Sequence, residues 1–236
     1  IAVEMALMSQ YQASPWVGHL EAMYLIFHYL SKHKNWRVVF DPALPEFDES
    51  HFQSNADWTE FYHDAVEEDP PGMPEPLGRR AVISAFVDAD HAGNKVTRRL
   101  HTGVLVFVNN ALITVFLKRQ NTVESSTFGS KLVAMGICRD LLVELRIKLK
   151  MFRVPLDGPA NVFCDNDGVR KNVSIPESML NKKHNSINYH VVCELVAAGI
   201  MCVAKEDTET NLADGLTKLL SFDRKRDLLF KLAYQR

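Results

Sequence analysis

Phe86-Val87-Asp88-Ala89-Asp90 is the stretch whose reading decides the fold of this 236-residue chain: a carboxylate pair at the end of the apolar run Ala81–Asp88. A run that is apolar on both faces suits a central strand, and residues two apart on a strand share one side, as Asp88 and Asp90 would. Two further segments repeat the theme. Asp165 ends Asn161-Val162-Phe163-Cys164, and Asp214 lies in Asn211-Leu212-Ala213-Asp214-Gly215-Leu216-Thr217-Lys218. Carboxylates delivered by separate strand ends and by a helix start are what a metal-dependent phosphoryl-transfer site requires. Such hard oxygen ligands suit Mg, which keeps several waters and accepts a substrate phosphate. Two such ions can activate water and stabilise the leaving oxygen in phosphodiester cleavage. Each aspartate alone has a plainer reading, Asp88 and Asp165 as strand-end turn residues, Asp167 and Asp214 as helix caps. The three together, in this order, favour a site.

Outward from that strand the chain alternates in a readable way. Gly103–Val108 and Ala111–Leu117 are β-rich runs around an Asn109-Asn110 turn. Phe128, Leu132, Met135, Cys138, Leu142, Leu145 and Leu149 form the stripe of a long helix that Pro155 and Gly158 stop. A strand over Asn161–Cys164, a short helix from about Asp167 and a helix around His190–Ala198 follow. Strand Ile200–Ala204 and a basic helix over Asp223–Ala233 complete the series. This order predicts an α/β domain over residues 81–236, with a mixed sheet of about five strands, three in a meander and then two with helices. Were the strands bearing Asp88 and Asp165 neighbours, their carboxylates would converge at one sheet edge.

Residues 41–80 read as a linker or connection. Prolines at 42, 45, 70, 71, 74 and 76 and the acidic Glu67-Glu68-Asp69 break any long period, and Trp58, Phe61 and Tyr62 can pin part of it to a neighbour. Residues 1–40 form a helix–strand unit. Ser14 is the expected N-cap, Pro15 lies in the first turn, and Leu20, Met23, Tyr24, Phe27 and Leu30 make one apolar face before the strand Arg37–Phe40.

The 27 basic and 29 acidic residues nearly cancel, which argues against a nonspecific nucleic-acid binder held by bulk charge alone. The four cysteines show no CxxC pairing and lie in apolar stretches, so buried, reduced thiols are expected in place of disulfides or a zinc site. With neither a membrane-length apolar run nor a secretory signal, an intracellular, non-secreted protein without a membrane partner is expected. A chain that begins with Ile1 reads as a fragment of something longer.

At this point a family becomes recognisable. Residues 81–236 resemble the ribonuclease H domain at the end of copia-type retrotransposon Pol polyproteins. The matching pieces are Val87-Asp88-Ala89-Asp90-His91-Ala92-Gly93, Thr97-Arg98-Arg99 with Thr102-Gly103, and Lys118-Arg119-Gln120. They continue with Thr122-Val123-Glu124-Ser125-Ser126-Thr127, Cys164-Asp165-Asn166, Lys182-Lys183-His184 through Tyr189-His190, and Ala213-Asp214 with Thr217-Lys218. Residues 1–40, through His19-Leu20-Glu21-Ala22 and Tyr29-Leu30, resemble the tail of the preceding reverse transcriptase. The resemblance implies a ribonuclease H fold that hydrolyses the RNA of RNA–DNA hybrids with two Mg ions, Mn being a possible substitute. Asp88, Asp165 and Asp214 match three of the family's four acids and would bind the metal. Arg98, Arg99, Lys118, Arg119, Gln120, Lys182, Lys183, His184 and His190 would meet the nucleic acid, and the upstream polymerase would be a partner. The Ala213-Asp214…Thr217-Lys218 ending speaks against a transposase or integrase of the same fold.

The fourth acid departs from the pattern. In Phe128-Gly129-Ser130-Lys131-Leu132-Val133-Ala134, Lys131 occupies the family's catalytic Glu position. An ammonium there removes a ligand and adds charge of the wrong sign. At about 4 Å and an effective dielectric of about 20, two unit charges repel by about 4 kcal/mol, and a dication by about twice that before screening. A flexible lysine can instead turn its head into water. Glu124, seven residues upstream, is a poor stand-in, and Asp90 or Asp167 is left as a substitute at a metal. Val115 and Leu117, where the family has Trp and Ser, depart as well. Two functions follow: an impaired hybrid nuclease, or an inactive nucleic-acid-binding or tethering module of the same fold.

Overall fold

Ile83–Ala89 is buried at six of its seven positions, as a strand covered on both faces must be. Its surroundings are seen in a computed structural model of the chain, which describes residues 1–52, 56–90, 100–121, 124, 126–180, 185–229 and 232–235. In chain order the first elements are α1 (Ala2–Met8), α2 (Val17–Lys32), β1 (Trp36–Val38), β2 (Ile83–Ala89), β3 (His101–Val108) and β4 (Ala111–Arg119). Then come α3 (Thr127–Met151), β5 (Ala160–Cys164), α4 (Asp167–Ser174), α5 (Ser186–Ala197), β6 (Met201–Lys205), α6 (Asp214–Thr217), α7 (Phe222–Leu229) and β7 (Ala233–Gln235).

Five strands form one open sheet in the order β4-β3-β2-β5-β6. The meander β2-β3-β4 is antiparallel, turning at Asn109, whose φ of 54° an Asn tolerates well. Strand β5 lies parallel to β2, and β6 parallel to β5. This is the mixed α/β sheet that the order of elements predicts.

Period-2 alternation sorts the two faces. Ile83, Ala85, Val87 and Ala89 of β2 join Val162 and Cys164 of β5 in a core closed by Leu132, Met135, Cys138 and Leu142 of α3, Val169 and Val173 of α4, and Val192 of α5. Phe86 points the other way, stacks on Phe163, and meets a smaller cluster of Leu105, Phe107, Leu212, Leu216 and Leu228. Burial of this kind is worth about 1.5–3 kcal/mol for each large side chain. Cys138, Cys164 and Cys193 are buried and Cys202 is half-buried, all four as free thiols.

The stretch after Asp57 is fastened to this body. Trp58 and Tyr62 pack against the larger core, and Glu67 receives both Arg146 Nε and Nη2, at 2.8 and 2.7 Å. Strand β1 pairs antiparallel with β7.

Three expectations about the chain ends need correction. Helix α2 starts at Val17, not beside Ser14: its N-cap is Trp16, whose N–H bonds His19 Nδ1 at 2.9 Å. Its buried residue is Ile26, whereas Leu20, Tyr24, Phe27 and Leu30 are exposed, Phe27 by 59%. Helical period shows which residues share a face but not whether anything covers it. Finally, α7 ends at Leu229, and Ala233 belongs to a strand. Among the described residues no helix is long and apolar enough to cross a membrane.

Candidate functional site at the strand ends

Parallel register places the first two carboxylates together. Val87 pairs with Cys164 across β2 and β5, so Asp88 and Asp165 each follow the paired position by one residue at the carboxyl ends of adjacent strands. The third arrives from α6. Asn211 holds the approach: its Nδ2 donates to the Val87 carbonyl at 3.2 Å and its Oδ1 accepts from the Ala213 N–H at 3.0 Å. Gly103, which pairs with Asp88, makes the contact possible, because a Cβ there would lie 2.8 Å from both Leu216 Cβ and Thr217 Cγ2. Asp88, Asp165 and Asp214 thereby bring one carboxylate oxygen each to within 4.8 Å of one another. Asp88 and Asp214 are fully buried.

Cations attached to the chain already face this cluster. Lys131, from the second turn of α3, donates its Nζ to Asp165 Oδ1 and stands 3.1 Å from Asp88 Oδ1. That second approach is a charge contact without hydrogen-bond geometry, so Asp88 Oδ1 has no hydrogen-bond donor. Asp88 Oδ2 accepts from Thr217 Oγ1. The side chain of Lys131 is only 13% exposed, so its head is not turned into water. Lys218 Nζ bonds Asp214 Oδ1 at 2.6 Å and lies 3.7 Å from Asp88 and 3.9 Å from Asp165. Arg224 Nη2 adds a contact to Asp214 Oδ2 at 3.4 Å.

The charges shift one another as this crowding requires. Burial, reinforced by Asp88 and Asp165, pushes the Asp214 carboxyl up to about 6, against the hydrogen bond from Lys218. For Lys218, burial disfavours the ammonium, but Asp88, Asp214 and Asp165 outweigh it and hold its pKa above the ordinary value.

A buried acidic cluster at these strand ends is consistent with use of a divalent metal. The donors suit such an ion, but the space does not: the Lys131 ammonium stands on Asp165 and against Asp88, where a bridging cation would go. The alternative acids lie elsewhere. Asp167 pairs with Arg170 and Lys171 in the first turns of α4. Glu124 is buried beside Gly129 and accepts from Asn185 Nδ2 at 3.4 Å.

The other candidate residues separate. Lys118 is exposed and Arg119 half-buried at the end of β4, level across β3 with the end of β2. Two strand spacings put the Lys118 backbone about 10 Å from that of Ala89. Gln120 is not a surface contact. It is buried, and its Nε2 donates to Thr102 Oγ1 at 2.9 Å and to the Ser130 carbonyl at 3.0 Å, locking β3 to the first turn of α3. His190 is exposed, with Nδ1 2.7 Å from the Tyr62 hydroxyl. Arg98, Arg99, Lys182, Lys183 and His184 lie outside the described residues.

Two basic residues matter more than their sequence context suggested. Lys218 follows Asp214 by four residues, a helical pairing distance that signals the contact. In the run Arg224-Lys225-Arg226, which reads as an exposed face, Arg224 pairs with Asp214 and Glu209, and Lys225 with Glu4.

No protein-family model matches the sequence. The retrovirus-related Pol polyprotein from transposon RE1 of Arabidopsis thaliana is 30% identical over 152 residues, covering 61% of this chain and 10% of the relative. That from transposon RE2 of the same plant is 27% identical over 144 residues, with the same coverage of each. The chain thus spans about a tenth of the length of the curated relatives it matches. Among solved structures, the N-terminal ribonuclease H domain of a Mycobacterium tuberculosis protein aligns with a TM-score of 0.43 at 13% identity, over 64% of this chain and 97% of the other. LC11 ribonuclease H1, solved in complex with an RNA/DNA hybrid, aligns with a TM-score of 0.45 at 14% identity, over 57% and 93%. The fold assignment rests on the strand order and directions above, and the ancestry on the sequence match. Over about three fifths of its length this chain is homologous to the retrovirus-related Pol polyproteins of transposons RE1 and RE2 of Arabidopsis thaliana, and its fold is an open mixed five-stranded α/β sheet.

Proposed function

We propose that this chain is the ribonuclease H-type domain of a copia-type Pol polyprotein, that its ligand is an RNA–DNA hybrid, and that this copy cuts the hybrid poorly or not at all. The observation that carries the proposal is the position of Lys131, bonded to Asp165 and 3.1 Å from Asp88. By family resemblance Asp88, Asp165 and Asp214 would hold Mg, or Mn in its place. With the ammonium where it is, the residues do not fit that ion.

Residues 81–236 would then be the nuclease-type body, 41–80 its connection and 1–40 the end of the preceding reverse transcriptase. Lys118 and Arg119, together with Arg98, Arg99, Lys182, Lys183, His184 and His190, are assigned to the nucleic-acid side. Contacts of this kind to phosphates position a duplex without reading its sequence. The exposure of Lys118 near the carboxylate end of the sheet supports its assignment. A non-enzymatic variant of the reading, in which the domain only binds hybrid or tethers the polymerase, is favoured by the same lysine.

Cleavage of a labelled RNA–DNA hybrid by this chain and by Lys131→Glu, in Mg and in Mn, with duplex DNA as control, tests the proposal. The expected result is RNA cleavage by Lys131→Glu at least about 100-fold faster than by the unmodified chain, an effect of about 2.7 kcal/mol. Equal rates in the two proteins would mean that Lys131 does not block the site. Loss of hybrid binding by both would remove the assigned ligand.

A further inference from the structure

Three carboxylates packed together need cations, since like charges at these distances cannot all stay ionised unaided. In this chain the cations are covalently attached. Lys131 and Lys218 reach the cluster from opposite sides of the sequence, Lys131 touching Asp88 and Asp165, and Lys218 touching all three acids. Arg224 completes the ring at Asp214. The two lysines are not equivalent. Lys218 is about a third exposed and lies at longer range from Asp88 and Asp165, so its ammonium can swing outward. Lys131 is 13% exposed and lies between two acids.

We infer that Lys131 and Lys218 are resident counter-ions that stand in for divalent metal, so that the domain folds and keeps its acids together without metal, and that divalent ions enter the triad only when Lys131 is removed. The inference rests on reading the triad as an inherited acidic site, but it concerns the ionic state of that site and not the cutting of a hybrid. Its physical basis is the geometry: a divalent ion held by Asp88 and Asp165 would stand beside the Lys131 ammonium, which is 13% exposed and contacts both acids.

The test uses Mn²⁺ alone, on the full chain. Uptake is read from loss of the free-ion electron paramagnetic resonance signal, and stability from thermal melting in MnCl₂ against NaCl of matched ionic strength. The unmodified chain is expected to take up no stoichiometric Mn²⁺ and to melt at the same temperature in both salts. Lys131→Glu is expected to take up Mn²⁺ and to gain roughly 5–10 °C when the ion is at about 100-fold its Kd. Lys131→Met keeps the apolar stem, removes the charge, and is expected to take up Mn²⁺ more weakly, which guards against misfolding of the Glu variant.

Stoichiometric uptake by the unmodified chain that Asp165→Asn abolishes would overturn the inference. So would a folded Lys131→Glu and a folded Lys131→Met that both ignore Mn²⁺. Hybrid binding measured in EDTA separates this inference from the proposed function. A chain that excludes Mn²⁺ and binds no hybrid refutes the function and keeps the counter-ions. A chain that takes up Mn²⁺ and binds hybrid without cutting it refutes the counter-ions and keeps the function.

Discussion

Two ionic clusters among the described residues are built on opposite plans. In one, every nitrogen of the Arg146 guanidinium has an acceptor, and the residue is 5% exposed: Nε and Nη2 donate to Glu67, and Nη1 donates to the Gly158 carbonyl at 3.0 Å. Lys150 then closes the outer side on Glu67 and Asp69, at 2.9 and 2.6 Å. In the other, three acids crowd at the strand ends, Asp88 Oδ1 lacks a hydrogen bond, and cations arrive from three separate elements. The first cluster fastens the Glu67–Asp69 stretch to α3. The second holds like charges together, which a purely structural cluster has no reason to do. Paired charges of opposite sign suit a fastening, whereas three acids together suit the metal-binding ancestry proposed above.

The contrast can be broken most sharply at the fastening. Glu67→Ala leaves Arg146 charged, buried and without its carboxylate, and is expected to cost about 3–5 kcal/mol in chemical denaturation. Replacing both residues with Met should restore most of that loss. A Glu67→Ala protein as stable as the parent would mean that the segment before residue 81 is not fastened there.

The two clusters should also respond to pH with opposite sign. Asp214 has a folded pKa of about 6, above its ordinary 3.8. The folded state therefore binds the extra proton, and the stability this group contributes is present at low pH and lost as pH rises from about 4 through 6. The loss is on the order of 2–3 kcal/mol. For Glu67, burial opposes ionisation, but the hydrogen bonds from Arg146 and Lys150 prevail and hold its pKa below 4.5. Its contribution is present above that value and lost as pH falls through the lowered folded pKa. Urea denaturation from pH 3 to 7 checks both: Asp214→Asn should flatten the fall between about 4 and 6, and Glu67→Gln should flatten the acid limb.

A smaller effect is expected at Gly103→Ala. The added methyl would overlap Leu216 and Thr217 and cost about 1–3 kcal/mol. Because it pushes α6 from β3, it should shift Asp214 in NMR spectra while leaving the Arg146 side-chain resonances unmoved. Smallest is Tyr62→Phe, which removes the hydroxyl contact to His190 and is expected to cost about 0.5–1.5 kcal/mol.

Much of the body is legible in the sequence alone. The run Ala81–Asp88, apolar on both faces, the Asn109-Asn110 turn and the leucine stripe of α3 are local patterns, because they are read from residues a fixed step apart along the chain. The chain ends were less legible. The stripe of α2 has the right period, yet Leu20, Tyr24 and Phe27 face outward, since period carries no information about what lies alongside. Gln120, read as a nucleic-acid contact, turned inward because Thr102 and the Ser130 carbonyl offer its amide two partners. Arg224, in a run that reads as an exposed helix face, pairs with Asp214 and Glu209.

The sequence by itself determined the order of strands and helices, the three aspartates at their ends and a lysine at the start of the long helix. Only the tertiary structure decided where the Lys131 ammonium goes. A long side chain at the edge of a helix can reach water or the neighbouring strands, and which it does depends on whether β5 lies beside β2 with Asp165 level with Asp88. That adjacency is set by parallel pairing between segments more than 70 residues apart, which no local pattern encodes.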